Sequence, residues 1–127
     1  MTACKLLDSS VWLAYFFNGS FSEIVDAEEI FLMSPLIVFE VKCKLVRAGV
    51  DPPKLLKSIE FMKKKSIVIP LDQEVAELAV DDAVKYNLPA IDALIYATSL
   101  KKDSLLLTLD NDFRGLKNVH VLATKIM

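Results

Sequence analysis

The chain has 127 residues, of which 54% are hydrophobic and three are glycine, and its formal net charge is -2. This composition excludes a disordered protein and favours a compact helix-rich or α/β core. A chain of this length is expected to fold as one domain spanning residues 1–127. The small negative charge gives no overall attraction to a polyanion.

Neither a signal peptide nor a membrane span is predicted. The opening residues, MTACKLLD, lack a long apolar region, and the richest apolar run, at 30–39, is interrupted by Ser34 and Pro35. A spanning helix needs about 20 apolar residues, so this run is far too short. We therefore expect a soluble, cytoplasmic protein without membrane contact.

The predicted elements alternate between strands and helices. In chain order, we predict a strand at 4–8, helices at 9–17 and 21–29, a strand at 30–33, a helix at 35–48, a helix opening at Asp51, a strand at 67–71, a helix capped by Asp72, a helix at 91–101, and strands at 104–109 and 119–122. Such alternation calls for right-handed crossovers and a parallel sheet covered on both faces. The predicted fold is a three-layer α/β/α sandwich whose mostly parallel central sheet has about five strands.

The cysteines and the single histidine do not form a recognisable metal site. Cys4 and Cys43 have no C-x-x-C spacing, and His120 alone cannot complete a zinc site with them. We expect both cysteines to be small core residues. His120 alternates with two valines in the last predicted strand, so it is expected to face solvent or a neighbouring loop.

The predicted fold brings acidic residues together. These residues are Asp8, Glu40, Asp92 and Asp110, with Asp112 just behind. Each lies beside an apolar stretch, where burying a carboxylate is costly unless a partner compensates its charge. In parallel α/β sheets, ligands bind beyond the carboxyl ends of the strands, where the strand order reverses. Asp8 and Asp110 follow predicted strands, so they share this crevice if those strands are neighbours. Oxygen ligands of this kind favour a divalent cation.

Each acidic residue also has a simpler explanation. Asp8 is suited to cap a helix, and Asp92 to complement a helix dipole. Asp110 and Asp112 are suited to form a turn, and the D-x-D pattern there lacks the glycine and the closing glutamate of an EF-hand. Glu40 is the hardest to explain in this way. An exposed i,i+4 pair with a lysine contributes only about 0.3 kcal/mol and does not account for a buried glutamate.

The order and spacing of these motifs resemble those of PIN domains. The resemblance rests on Asp8-Ser9-Ser10 after a short strand, Pro35 followed by Glu40, the segment DALIYAT from Asp92, and the segment TLDNDF from Thr108. Together they span nearly the whole chain. The small size of the chain is similar to that of the VapC-type toxins of toxin-antitoxin pairs. Tyr96 departs from the family pattern, since a small residue is frequent there.

The resemblance implies an endoribonuclease that depends on Mg²⁺ or Mn²⁺, is usually a homodimer and is held inactive by a cognate antitoxin. By the same comparison, Asp8, Glu40, Asp92 and Asp110 form the acidic cluster and Asp112 supports it. Ser9 and Thr108 help to orient the cluster. We expect Asp8 and Asp92 to bind the metal directly, and Glu40 and Asp110 to position water or a second ion.

The sequence also allows two other functions. In the first, the acidic residues are only caps and turns, and the chain is a catalytically inactive module that binds a protein partner. In the second, Asp8 accepts a phosphoryl group, as in receivers or phosphatases. Phosphatases of the relevant kind carry a second aspartate two residues later, where this chain has Ser10, and receivers need a lysine near Val121. The second function is therefore disfavoured.

Overall fold

The computed structural model describes residues 4–123. The five strands are β1 (Lys5–Leu7), β2 (Phe31–Met33), β3 (Ser66–Val68), β4 (Leu105–Thr108) and β5 (Val119–Val121). The helices are α1 (Ser9–Asn18), α2 (Ser22–Val25), α3 (Pro35–Arg47), α4 (Pro52–Lys64), α5 (Gln73–Tyr86) and α6 (Ala90–Lys101). A 3₁₀ turn spans Asn111–Phe113.

All strand pairs are parallel, and the strand order is β3-β2-β1-β4-β5. Right-handed crossovers place α1 to α4 on one face of the sheet and α5 and α6 on the other. In agreement, α3 contacts both α1 and α4, while α5 packs along α6. The predicted three-layer fold with a parallel five-stranded sheet is confirmed.

The order of the strands reverses at β1. From β1 the chain moves to β2 on one side, and it returns much later to β4 on the other. Leu6 of β1 is opposite Leu32 on one side and Leu106 on the other. A crevice therefore opens beyond the carboxyl ends of β1 and β4, as such a reversal requires.

Local sequence signals explain the ends of the helices. Ser34 caps α3 by accepting a hydrogen bond from the amide of Leu36 at 3.2 Å, and Pro35 occupies the first turn, where its missing N–H costs nothing. The Asp72 carboxylate caps α5 through the amide of Val75 at 3.0 Å. Asn87 ends α5 in the left-handed conformation, with φ of 53°.

The strands are shorter than predicted by one or two residues, and one helix is much shorter. The strand predicted at 67–71 is β3, at Ser66–Val68, and its pairing continues to the Ile69 amide, which donates to the Met33 carbonyl at 2.7 Å. Pro70 follows on the outer side of this edge strand, where its missing N–H costs no ladder hydrogen bond. The helix predicted at 21–29 is reduced to α2. Asp26 ends it, and its carboxylate accepts a hydrogen bond from the Tyr15 hydroxyl at 2.6 Å.

The predictions for the cysteines and the histidine had different outcomes. Cys4 is exposed and Cys43 is only partly buried, so the prediction that both are core residues is wrong. Cys4 precedes the first strand, where its backbone carbonyl still accepts from the Leu105 amide while its side chain stays outside the core. His120 is exposed, as predicted. In the described residues, no helix is both long and apolar enough to cross a bilayer.

A matched pair of leucine substitutions tests where the core lies. Leu106 in β4 is fully buried, whereas Leu56 in α4 is 59% exposed. We expect Leu106→Ala to lower the free energy of unfolding by about 3 kcal/mol through lost burial and a residual cavity. We expect Leu56→Ala to change it by less than about 0.5 kcal/mol. Urea denaturation followed by circular dichroism measures both, and equal losses would contradict the assigned core.

Candidate active site

Asp8 lies at the bottom of the crevice, directly after β1. Its side chain is buried, and its Oδ2 accepts hydrogen bonds from Thr108 Oγ1 at 2.8 Å and from Ser10 Oγ at 3.0 Å. It makes no side-chain capping bond to α1, so the simple cap explanation does not account for it. Burial raises the pKa of Asp8 above its ordinary 3.8 despite these hydrogen bonds, and the nearby charge of Asp110 adds to the increase.

Glu40 reaches the same crevice from α3. The Ser9 hydroxyl donates to Glu40 Oε1 at 3.1 Å, and Ser9 immediately follows Asp8. Partial burial, followed by the charge of Asp8, raises the pKa of Glu40, although Lys44 opposes the increase. Within residues 4–123, the ion pairs do not include one between Glu40 and Lys44. The helical ion pair is therefore not the reason for this glutamate.

Three further carboxylates form a tighter group. Carboxylate oxygens of Asp92, Asp110 and Asp112 all lie within 4.8 Å of one another. Asp92 comes from the first turn of α6, and the other two from the turn after β4. Asp110 Oδ1 also accepts from the Asp112 amide at 2.9 Å, so this residue forms a turn as well as belonging to the cluster.

Asp92 has a strongly raised pKa. Its pKa is raised from 3.8 to about 6, first by burial and then by the charges of Asp8, Asp110, Glu40 and Asp112, in that order. The charges of all four other predicted acidic residues thus act on Asp92. Like charges held this close favour either a bound proton or a bound cation.

The donor set fits a hard divalent cation. Mg²⁺ and Mn²⁺ prefer oxygen ligands, and the group offers carboxylates from two different elements that converge within 4.8 Å. Asp92, Asp110 and Asp112 are the residues that could hold the ion. Asp8 lies below them and Glu40 beside them. The sequence-based choice of Asp8 and Asp92 as direct ligands stays a prediction.

The hydroxyl groups around Asp8 include one that sequence reasoning did not select. Ser10 Oγ donates to Asp8, accepts from the Leu109 amide at 3.0 Å, and lies 3.4 Å from Thr108 Oγ1. It therefore links the ends of β1 and β4. The available signal is a hydroxyl residue two positions after a strand-end aspartate, within the Asp8-Ser9-Ser10 motif, but the motif alone assigns Ser10 no role.

The carboxylate group is accessible to solvent, because Asp112 is exposed and Asp92 and Asp110 are only partly buried. A cavity of about 510 Å³ lies elsewhere, lined by residues 18–24, Leu122 and Ala123, and none of the five predicted acidic residues lines it. An open, acidic crevice suits a large polymeric substrate better than an enclosed small molecule.

The raised pKa of Asp92 predicts a stability that falls with rising pH in the metal-free protein. The folded-state pKa of about 6 lies above the ordinary 3.8, so this contribution is fully present below pH 3.8 and is lost as the pH rises through about 6. Asp92→Asn should therefore stabilise the metal-free protein at pH 7, by about 1 kcal/mol once solvent screening is allowed for. At pH 3.5 the gain should vanish, because the wild-type carboxylate is then protonated.

Chemical denaturation in EDTA across this pH range measures the effect. Asp72→Asn is a control of opposite sign, because hydrogen bonds from Val75 and Lys101 lower the pKa of Asp72. That substitution should give no gain at pH 7. A gain for Asp92→Asn that persisted unchanged at pH 3.5 would show that charge repulsion is not its cause.

Several solved structures share this fold. A toxin-antitoxin complex from Klebsiella pneumoniae matches with a TM-score of 0.78 and 20% identity, covering 91% of this chain and 95% of that chain. The sarcin-ricin loop cleaving toxin VapC20 of Mycobacterium tuberculosis matches with a TM-score of 0.71 and 18% identity, covering 91% and 96%. The DNA-bound VapBC of Salmonella typhimurium matches with a TM-score of 0.71 and 12% identity, covering 93% of this chain and 96% of that chain.

No curated protein matches the sequence significantly. The family model for the PIN domain, however, matches residues 5–119, which include every acidic residue of the crevice. This match extends over most of the chain and agrees with the parallel sheet and with the acidic crevice at its switch point. The chain belongs to the PIN domain family.

Proposed function

We propose that this protein is a metal-dependent endoribonuclease that hydrolyses RNA phosphodiester bonds and acts in the cytoplasm as the toxin of a type II toxin-antitoxin pair. The observation that carries the proposal is the convergence of Asp92, Asp110 and Asp112 within 4.8 Å, beside Asp8 and Glu40. The likeness to VapC20, a toxin that cleaves the sarcin-ricin loop, supports RNA as the substrate class.

Each residue has a distinct role in this proposal. Asp8 and Asp92 bind the cation directly, Asp110 and Asp112 complete the carboxylate group around Asp92, and Glu40 and Asp110 position water or a second ion. Thr108, Ser10 and Ser9 fix the orientation of the carboxylates through the hydrogen bonds described above. When bound, Mg²⁺ or Mn²⁺ would lower the pKa of a coordinated water and stabilise the charge on the transferring phosphate. The single histidine, exposed on β5, is not needed as a base.

The RNA must be attracted by local charges because the overall charge of the protein is -2. Lys42, Lys44 and Arg47 lie on α3, downstream of Glu40. Among the described residues, the ion pairs use only Lys5 and Lys101 as cations. The α3 cations are therefore available to contact phosphate groups.

We also propose a homodimer. Several apolar side chains are exposed on the helices, including Phe39 on α3 at 60%, and Val80 at 57% and Val84 at 78% on α5. Val80 and Val84 are four residues apart, so they lie on one face of α5. A second copy of the chain would cover such apolar surface.

The nuclease proposal predicts that activity depends on the acidic cluster and on metal. We expect Asp92→Asn, Asp8→Asn and Glu40→Gln each to lower the rate of RNA cleavage on the order of a hundredfold, and EDTA to abolish cleavage. Asp81→Asn, on the exposed surface of α5, is the matched control and should retain wild-type activity. A fluorescence-quenched RNA assay with added Mg²⁺ or Mn²⁺ measures the rates.

The alternative, a catalytically inactive PIN-like module that binds a protein, predicts a different result. If calorimetry finds no Mg²⁺ or Mn²⁺ binding that Asp92→Asn and Asp8→Asn weaken, the acidic residues have no metal to hold. Cleavage that survives EDTA or Asp92→Asn would come from a contaminating nuclease or another mechanism. Either result removes the proposed chemistry.

The toxin proposal predicts a cognate antitoxin encoded beside the gene, as a short reading frame for a DNA-binding protein with a basic tail. An arginine of that partner would be attracted to the acidic crevice, so the same site would be both catalytic and inhibited. Co-expression should yield a stable complex with at least tenfold lower RNA cleavage, and expression of the chain alone should arrest growth. Growth arrest by Asp92→Asn equal to that by the wild type would contradict the proposal.

A further inference from the structure

The carboxylates of the tight group come from two elements that must be held together. Asp110 and Asp112 belong to one compact turn, closed by the Asp110 side chain on the Asp112 amide and by the Phe113 amide on the Asp110 carbonyl at 3.3 Å. Asp92 belongs to α6. Without a cation, repulsion between these charges pushes the turn away from the helix. A contact between α6 and residues 111–118, the loop that leads from this turn to β5, must therefore resist that repulsion.

Tyr96 makes such a contact. It lies four residues after Asp92, one turn further along α6, and its side chain is only 2% exposed. Its hydroxyl donates to the Lys117 carbonyl at 2.8 Å. Its ring packs against Phe113, with ring centroids 6.4 Å apart and planes at 53°. A single side chain thus contacts the turn beside Asp112 and also the far end of the same loop.

The two contacts fix the loop in different ways. Phe113 is fully buried, so its ring anchors the turn in the core beneath Asp112. Lys117 lies just before β5, so the hydrogen bond to its carbonyl ties the far end of the loop to α6. Burial also raises the pKa of Tyr96 to about 12, so the phenol stays protonated and keeps donating at neutral pH.

We propose that Tyr96 is a positioning residue that clamps loop 111–118 onto α6 and thereby presets the spacing of Asp92 from Asp110 and Asp112 for a divalent cation. The inference rests on the proposed function for its cation. It also explains the departure at this position from the small residue that is frequent in the family. The larger side chain supplies a link between α6 and the loop that a small residue could not make.

The test compares two hydroxyl deletions on the same helix. Tyr96→Phe removes the hydrogen bond to Lys117 and retains the ring. Ser99→Ala removes a buried hydroxyl that contacts Ser104 Oγ at 2.9 Å, at the opposite end of α6. Tyr96→Phe loses one part-buried hydrogen bond and Ser99→Ala loses the buried contacts of its hydroxyl with Ser104, so a general loss of stability is common to them. Calorimetry measures Mn²⁺ binding, and hydrogen-deuterium exchange measures opening of loop 111–118 without metal.

We expect Tyr96→Phe to weaken Mn²⁺ binding about tenfold, as loss of a supporting contact does at metal sites. We also expect it to speed amide exchange in loop 111–118 at least fivefold in EDTA. Ser99→Ala should leave both quantities within twofold of the wild type. Equal effects of the two variants, or wild-type behaviour of Tyr96→Phe in both measurements, would overturn the positioning role.

Comparing Mn²⁺ binding by the wild type and by Tyr96→Phe separates this inference from the proposed function. If the wild type binds no Mn²⁺, the metal-dependent nuclease fails, and the positioning of a metal site fails with it. If the wild type binds Mn²⁺ but Tyr96→Phe binds it equally well, only the positioning role fails. Faster loop exchange without a change in affinity would show that Tyr96 stabilises the loop but does not preset the site.

Discussion

The parallel pairing of β1 with β4 brings together residues that lie 100 positions apart, as Asp8 and Thr108 do in their 2.8 Å hydrogen bond. The Asp8 amide extends the ladder by donating to the Leu107 carbonyl at 2.9 Å. Ser10 then joins the start of α1 to the residue after β4. The crevice, its buried carboxylate and the neighbouring turn all take their positions from this one strand pair.

The same pairing creates an electrostatic conflict that the protein does not relieve by itself. Asp8 is buried with hydroxyl partners, and burial still outweighs their effect on its pKa. Asp92 is affected by four like charges. A protein selected only for stability would replace such residues, because unpaired buried charge is costly. Retaining them is consistent with a site whose negative charge is used in binding and in catalysis.

Sequence reasoning could predict the elements and the parallel sheet because periodicity, caps and prolines are local signals. It could also select the acidic residues, since each follows a strand or lies in an apolar helix. It could not derive from local signals that β1 and β4 are neighbours, because strand order depends on the packing of the whole chain. For the same reason the tight grouping of Asp112 and the linking role of Ser10 were missed. The strand β3 was correctly predicted as an element, although it begins one residue earlier and is shorter than predicted.

The central position of β1 also constrains when the site can exist. Asp8, Glu40 and β2 are synthesised early, whereas β4, the second strand that pairs with β1, and Asp92, Asp110 and Asp112 are synthesised later. A nascent chain that has not yet passed β4 has one edge of β1 unpaired and lacks part of the acidic crevice. During translation, therefore, the incomplete chain cannot assemble the candidate active site. Under the proposed function, the chain would thereby be inactive until the ribosome has passed β4.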